Sequence, residues 1–302
     1  LAKQPNIHMR IATIYFEQTL YMRALDEFQL VLAELDYKDP HVLMARIYET
    51  HGRLDKAVEE FEKLRKLEPK SLDILLYAAR LYSLMRKTQN AVDLLNEAVK
   101  MEPENDQLQH SLALAYMAQD EDDRAIVTMR KALTLNPQKD SYYFELGALM
   151  EKSGDYKGAI ESMRQAIELN PLHSNAHNFL GYMYALEGYD LDQALEHLKK
   201  ALTIQPRNGY FLDSLGWIYF KKGEPKKALT QIQKALIYTE PDPVLYDHLG
   251  DILFSLGNYD EASGAWRNSL FLAENPKDDP GGEMPDPRTL KNKIDKAKRL
   301  LQ

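Results

Sequence analysis

The chain has 302 residues, 44% of them hydrophobic and 28% charged, enough apolar side chains to build a sizeable core. A net charge of −8 with no basic run argues against a nucleic-acid partner, and the absence of cysteine removes disulfides, thiolate metal sites and cysteine catalysis. No apolar run approaches the roughly 20 residues of a membrane-spanning helix, and no signal peptide is visible; the first residue, Leu1, is not Met, so any targeting segment would lie upstream of it.

From the N-terminus, LAKQP (residues 1–5) reads as the tail of a helix, like ELNP at 168–171, and points to further repeats before residue 1. A small residue then recurs at Ala12, Ala45, Ala79, Ala113, Gly147, Gly181, Gly216 and Gly250, at steps of 33 to 35 residues. A second follows 12 or 13 positions later each time: Ala24, Ala57, Ala91, Ala125, Ala159, Ala194, Ala228 and Ala262. A third stands 7 further on at Ala98, Ala132, Ala166, Ala201 and Ala235, with Val31, Leu64 and Ser269 as exceptions. Pro69, Pro103, Pro137, Pro171 and Pro206 close the middle units.

Each column has a physical reason. Apolar residues at helical spacing (Leu146, Met150, Ile160, Met163, Ile167) predict two amphipathic helices, A and B, per unit. Gly or Ala in the first two columns lets A and B approach closely, and the third is where B meets the next unit. Proline stops the second helix because it cannot continue the hydrogen-bond ladder. Turns such as Ser153-Gly154-Asp155 and Gly257-Asn258 join A to B. Each unit bares an apolar face that only its neighbour covers, so repetition is the fold. These features predict an all-α, right-handed superhelical solenoid of about eight helix pairs plus a C-terminal capping helix. Its boundaries are an array at 1–274, a Pro/Gly/Asp-rich loop at 275–288 and a helix at 289–302.

The pattern Leu-Gly/Ala, Tyr three residues on (Tyr15, Tyr48, Tyr82, Tyr116, Tyr184, Tyr219), then Ala, a large apolar residue, Ala and Pro resembles the tetratricopeptide repeat, over roughly residues 5–274. The run NFLGY…ALEHLKKAL…DSLGW…DHLGD…EASGAWRNSL more narrowly resembles the end of bacterial outer-membrane tetratricopeptide lipoproteins. That resemblance implies an adaptor that binds a periplasmic carboxyl-terminal processing protease or its substrates. It also implies a periplasmic location, tethered to the outer membrane by a lipid on the full-length protein. The lipid-bearing N-terminal cysteine of that family is absent from this chain. The alternative is a cytoplasmic cochaperone-type module that grips a C-terminal carboxylate. That clamp wants Lys, Asn and Arg at set inward positions, where this chain has Arg46, Arg80, Leu114, Ala148 and Tyr182.

The last segment, TLKNKIDKAKRLLQ, carries five basic residues and one acid on an amphipathic helix. It reads as a cap over the last repeat's apolar edge, the alternative being a basic partner-docking or membrane-surface helix.

Chemistry is scarce. His173 and His177 form the one i,i+4 histidine pair, but His173 sits in a turn and His177 in a column of bulky core residues, so no metal site is expected. GxSxG and phosphate-loop motifs are absent, and Asp278, Asp279, Glu283 and Asp286 lack a calcium-loop spacing. The reading is a protein without enzymatic activity, cofactor or metal. It binds a protein or extended peptide in a groove lined by the first helices. In a tetratricopeptide solenoid the positions three before, one after and four after the small column share the inward face. In units four to eight they give His110, Leu114 and Met117; Phe144, Ala148 and Glu151; Asn178, Tyr182 and Ala185; Asp213, Trp217 and Phe220; and Asp247, Asp251 and Phe254. Of these, Ala148, Glu151 and Ala185 are left out of the binding set. Tyr182, Trp217, Phe220 and Phe254 are aromatics that self-packing does not demand, which marks them as candidate contacts. The alternative for them is packing on neighbouring A helices or on the cap, and it is the stronger reading for Phe254, nearer the cap. Trp266 falls with Phe28, Phe61 and Met163 in the large apolar column of helix B and is expected in the core.

Overall fold

The computed structural model describes residues 5–186, 190–276 and 284–302. Every regular element among them is an α-helix, as the periodicity predicts. The A and B helices pair in chain order: α1 (Pro5–Glu17) with α2 (Tyr21–Leu32), α3 (Lys38–Thr50) with α4 (Leu54–Leu67), α5 (Leu72–Leu84) with α6 (Thr88–Met101), and α7 (Asp106–Met117) with α8 (Asp122–Leu135). They continue with α9 (Asp140–Lys152), α10 (Tyr156–Leu169), α11 (Ser174–Leu186), α12 (Leu191–Ile204), α13 (Gly209–Lys221), α14 (Pro225–Tyr238), α15 (Pro243–Ser255), α16 (Tyr259–Glu274) and α17 (Pro287–Leu300). The chain divides into two compact units, residues 1–142 with 148–155, and residues 143–147 with 156–302. In the first, α2 packs on α3, α4 on α5 and α6 on α7; in the second, α10 packs on α11, α12 on α13 and α14 on α15. Residues 1–4, 187–189 and 277–283 lie outside the described residues, and with them most of LAKQP and of the Pro/Gly/Asp-rich loop.

The small columns are the seams. All eight alanines of the second column are inaccessible to solvent, as are the five alanines of the third together with Val31, Leu64 and Ser269. Ser269 fits because its hydroxyl donates to the Pro243 carbonyl at 2.7 Å. In the first column, a Cβ built on Gly216 would lie 2.8 Å from Ile232 Cδ1 and 3.3 Å from the Ala228 carbonyl oxygen. On Gly250 it would lie 2.3 Å from Trp266 Nε1. Glycine therefore stands where helix B presents a large side chain at the crossing.

The A-to-B turn is one motif repeated. Thr19, Gly52, Arg86, Asp120, Gly154, Gly223 and Gly257 all have positive φ, from 55° to 83°. Each stands seven residues after its small column, and the residue that follows donates its N–H back five positions, as Arg53 does to Tyr48 at 2.8 Å. This satisfies a carbonyl that the helix end leaves free.

The last helix closes unit two as a cap. Leu290, Ile294 and Ala297 of α17 are buried against Leu253, Ala262, Ala265 and Trp266. Asp286 caps its start, accepting from the backbone N–H of Arg288 and Thr289.

Candidate partner-binding surface

The helix-A positions three before, one after and four after the small column are half-buried across α7, α11, α13 and α15, apart from Met117, which is exposed, and Ala185, which is buried. Within unit one, the His110 ring stacks on Tyr142 at 4.4 Å, and Leu114 is half-buried. Arg80, one of the two arginines at clamp positions, is committed elsewhere: it pairs with Glu49 at 2.6 Å and lies 4.5 Å from the Tyr77 ring.

Within unit two, Phe144 lies 4.9 Å from the His173 ring. On α11, Asn178 and Tyr182 are half-buried. The most organised part is on α13. Trp217 packs on Phe220 at 5.2 Å and lies nearly parallel to His248 of α15, with ring centroids 4.1 Å apart and planes 18° apart. His248 Nδ1 donates to Asp213, at 2.9 and 3.1 Å from its two carboxylate oxygens. Burial opposes the charge on His248. The facing Asp213 carboxylate, with Asp247 and Asp251 behind it, outweighs that and raises its pKa.

Three of the sequence candidates, Asp247, Asp251 and Phe254, meet the last helix. Lys293 of α17 donates to Asp247 at 2.7 Å and reaches both oxygens of Asp251 at 2.8 and 3.0 Å. Lys296 lies 5.0 Å from the Phe254 ring, which also packs on Tyr259 and Trp266. Lys293 thus offsets part of the negative charge of Asp247 and Asp251. Trp266 is 2% exposed, as expected of a core residue, and its Nε1–H donates to Asp251 at 3.2 Å.

Residues 29–188, more than half of the chain, match the family described as "Tetratricopeptide repeat protein 21 C-terminal ARM domain". The chain belongs to this tetratricopeptide-type repeat family. Among relatives of the tetratricopeptide chain, the TPR repeat-containing protein MJ1428 of Methanocaldococcus jannaschii is 37% identical over 91 residues, 30% of this chain and 16% of that protein. This chain therefore spans less than a fifth of that relative's length. A tetratricopeptide protein from Parabacteroides merdae superimposes with a TM-score of 0.66 at 17% identity, over 85% of this chain and 97% of its own. YrrB, described as a TPR protein with an unusual peptide-binding site, gives a TM-score of 0.50 at 23% identity, over 62% of this chain and 96% of its own. Both structural likenesses speak to the tetratricopeptide fold alone.

Several polar links were not read from the sequence. His41 is buried, with its two nitrogens 2.5 Å from Glu60 and 2.7 Å from Asp36. His177 is buried, and its Nδ1 lies 2.8 Å from His197 Nδ1. His8 pairs with Glu27 at 2.6 Å. All three histidines stand four residues before the small column and meet a side chain 19 or 20 residues on. That shared offset is the signal that could have revealed them. A second such signal joins Tyr15 to Arg23, Tyr48 to Lys56, Tyr116 to Arg124 and Tyr219 to Lys227, each a cation over a ring eight residues earlier.

Proposed function

We propose that the chain is a non-catalytic scaffold that binds a protein segment along the inner faces of its A helices, with Trp217 as the anchor in unit two. One observation carries the reading. Trp217 and Phe220 form an aromatic plate backed by His248, at positions outside the three small-residue columns, while the other tryptophan is sealed in the core. A preorganised aromatic at a half-buried position is the kind of residue that dominates binding energy at interfaces. The peptide-binding site in the description of YrrB adds support by analogy of fold.

A photo-crosslinker placed at residue 220 and, as control, at exposed Ile237 of α14 tests the surface in native lysate. Capture of one protein species from 220 and not from 237 supports the groove; capture from 237 alone removes it.

Presentation of substrates to a periplasmic processing protease by a lipid-tethered form is the finer part of the proposal, and it rests on the resemblance of the 178–270 run. A reading frame with a secretory signal ending at a cysteine upstream of Leu1 supports it. A start codon immediately before Leu1 overturns it and favours a cytoplasmic module.

A further inference from the structure

We infer that His248 is the positioning residue of the groove: its charged imidazole, held by Asp213, fixes the Trp217 indole for partner binding, and loss of that proton weakens the bound state. The inference rests on Trp217 being the groove's anchor.

The geometry leaves the indole little choice of pose. His248 is buried, and its ring lies 4.1 Å from Trp217 and near-parallel to it. Its Nδ1 is fixed by both oxygens of Asp213, one turn before Trp217 on the same helix. Asp213, His248 and Trp217 therefore form a closed unit across α13 and α15, in which moving the imidazole moves the indole. A cation against an indole face is attracted by the ring's quadrupole, and more strongly when shielded from water.

The charges around His248 set the direction. Asp213 faces it from α13, and Asp247 and Asp251 lie on its own helix α15. Lys293 of α17 bridges those two aspartates, and Lys221 of α13 lies 4.9 Å from the Trp217 ring. With the proton, His248 balances Asp213. Without it, Asp213 gains an uncompensated negative charge and the stack loses its cationic partner. Burial alone would keep the ring neutral, but the carboxylates prevail and extend the charged form above the ordinary histidine value.

The test reads Trp217 directly, before any partner is involved. In a Trp266→Phe chain Trp217 is the one tryptophan left, and its emission is followed from about pH 5.5 to 9. The expected result is a single rise as the imidazolium quencher is lost, centred above the free-histidine value, abolished in His248→Gln and moved to lower pH in Asp213→Asn. Ring-proton shifts of His248 in the unsubstituted chain, assigned by the His248→Gln difference, give the same midpoint where the Trp266 substitution lowers stability. Affinity for the crosslinked partner should then fall several-fold across that midpoint and stay level in His248→Gln. An emission curve without a His248-dependent transition overturns the inference. A transition with level partner affinity also overturns it, while leaving Trp217 as the anchor. Normal binding by Trp217→Ala overturns the inference and the groove together.

Discussion

Lys293 and Asp251, 42 residues apart in the chain, meet at 2.8 Å where the cap reaches α15. Lys293 also holds Asp247, so one ammonium answers two carboxylates that are both largely shielded from water. Replacement of Lys293 by Met should cost about 2 kcal/mol near neutral pH, the order expected for charged hydrogen bonds that lose a partner. The deficit has a pH signature. Burial holds the Asp251 pKa above its ordinary value even with Lys293 present, and removing the lysine raises it further. A carboxylate raised in the folded state stabilises in acid and loses that contribution as pH rises through the folded value. The gap in melting temperature between wild type and variant should therefore be smallest in acid and widen upward. A gap independent of pH would show that the lysine acts by packing alone.

The two tryptophans should separate binding from folding. Trp266→Ala empties a buried site beside Gly250 and Leu290 and should cost roughly 3–5 kcal/mol of stability. Trp217→Ala should leave the helical signal and melting temperature nearly intact while weakening partner binding about tenfold or more. Circular dichroism melts beside a binding titration decide it. Equal destabilisation by the two substitutions would return Trp217 to the core.

Glycine at the seam and glycine in the open should respond with opposite signs. Gly216→Leu drives a side chain into Ile232 and the Ala228 carbonyl and should destabilise by about 3 kcal/mol. A methyl group added to Gly264, in the middle of α16, would meet nothing within 4 Å, so Gly264→Ala should stabilise by about 0.5–1 kcal/mol through helix propensity. Urea midpoints for the two variants measure both.

The His177–His197 pair should make part of unit two acid-sensitive. His177 Nε2–H donates to the Pro171 carbonyl at 3.1 Å, which leaves its Nδ1 to accept from His197 Nδ1–H. Burial, then the neighbouring His177, Lys200 and Arg164, push the His197 pKa down to about 4. The unfolded chain takes up a proton near the ordinary value of about 6.5. Stability from this pair is thus complete above that value and is lost as pH falls towards the folded value. His41 and His248, both raised, act in the opposite sense. The His197→Phe chain, compared with wild type, isolates the effect. Its melting temperature should fall less between neutral pH and about pH 4.5, and an identical fall would remove the pair as the cause.

Arg86 occupies the left-handed turn position, at φ 55°, that glycine takes in four other units. An L-residue there is strained by roughly 1–2 kcal/mol, part of which glycine's greater unfolded-state freedom offsets. Arg86→Gly should raise stability by about 0.5–1 kcal/mol, measured by thermal melting. A loss would mean that the arginine makes compensating contacts.

What the sequence determined by itself is everything that repeats. A small residue at fixed steps, apolar residues at helical spacing and proline after helix B are local demands, met again in each unit. They made the helix pairs, the three seams and the burial of Trp266 legible without coordinates. Which residues of helix A share one face could be read too, because spacings of three and four place residues on one side of a helix. What only the tertiary structure decided is where neighbouring helices slide and what lies across from each inward residue. Trp217 could be read as a partner contact or as packing on a neighbouring A helix, and the histidine it stacks on, 31 positions later, was not legible. Asp247 and Asp251 looked open to a partner, yet a lysine beyond the loop at 275–288 holds them. His177 was legible as buried, and its bond to His197 was not. Periodicity fixes the face a side chain leaves from, while its partner depends on the axial offset between packed helices and on where a non-repeating cap comes to rest.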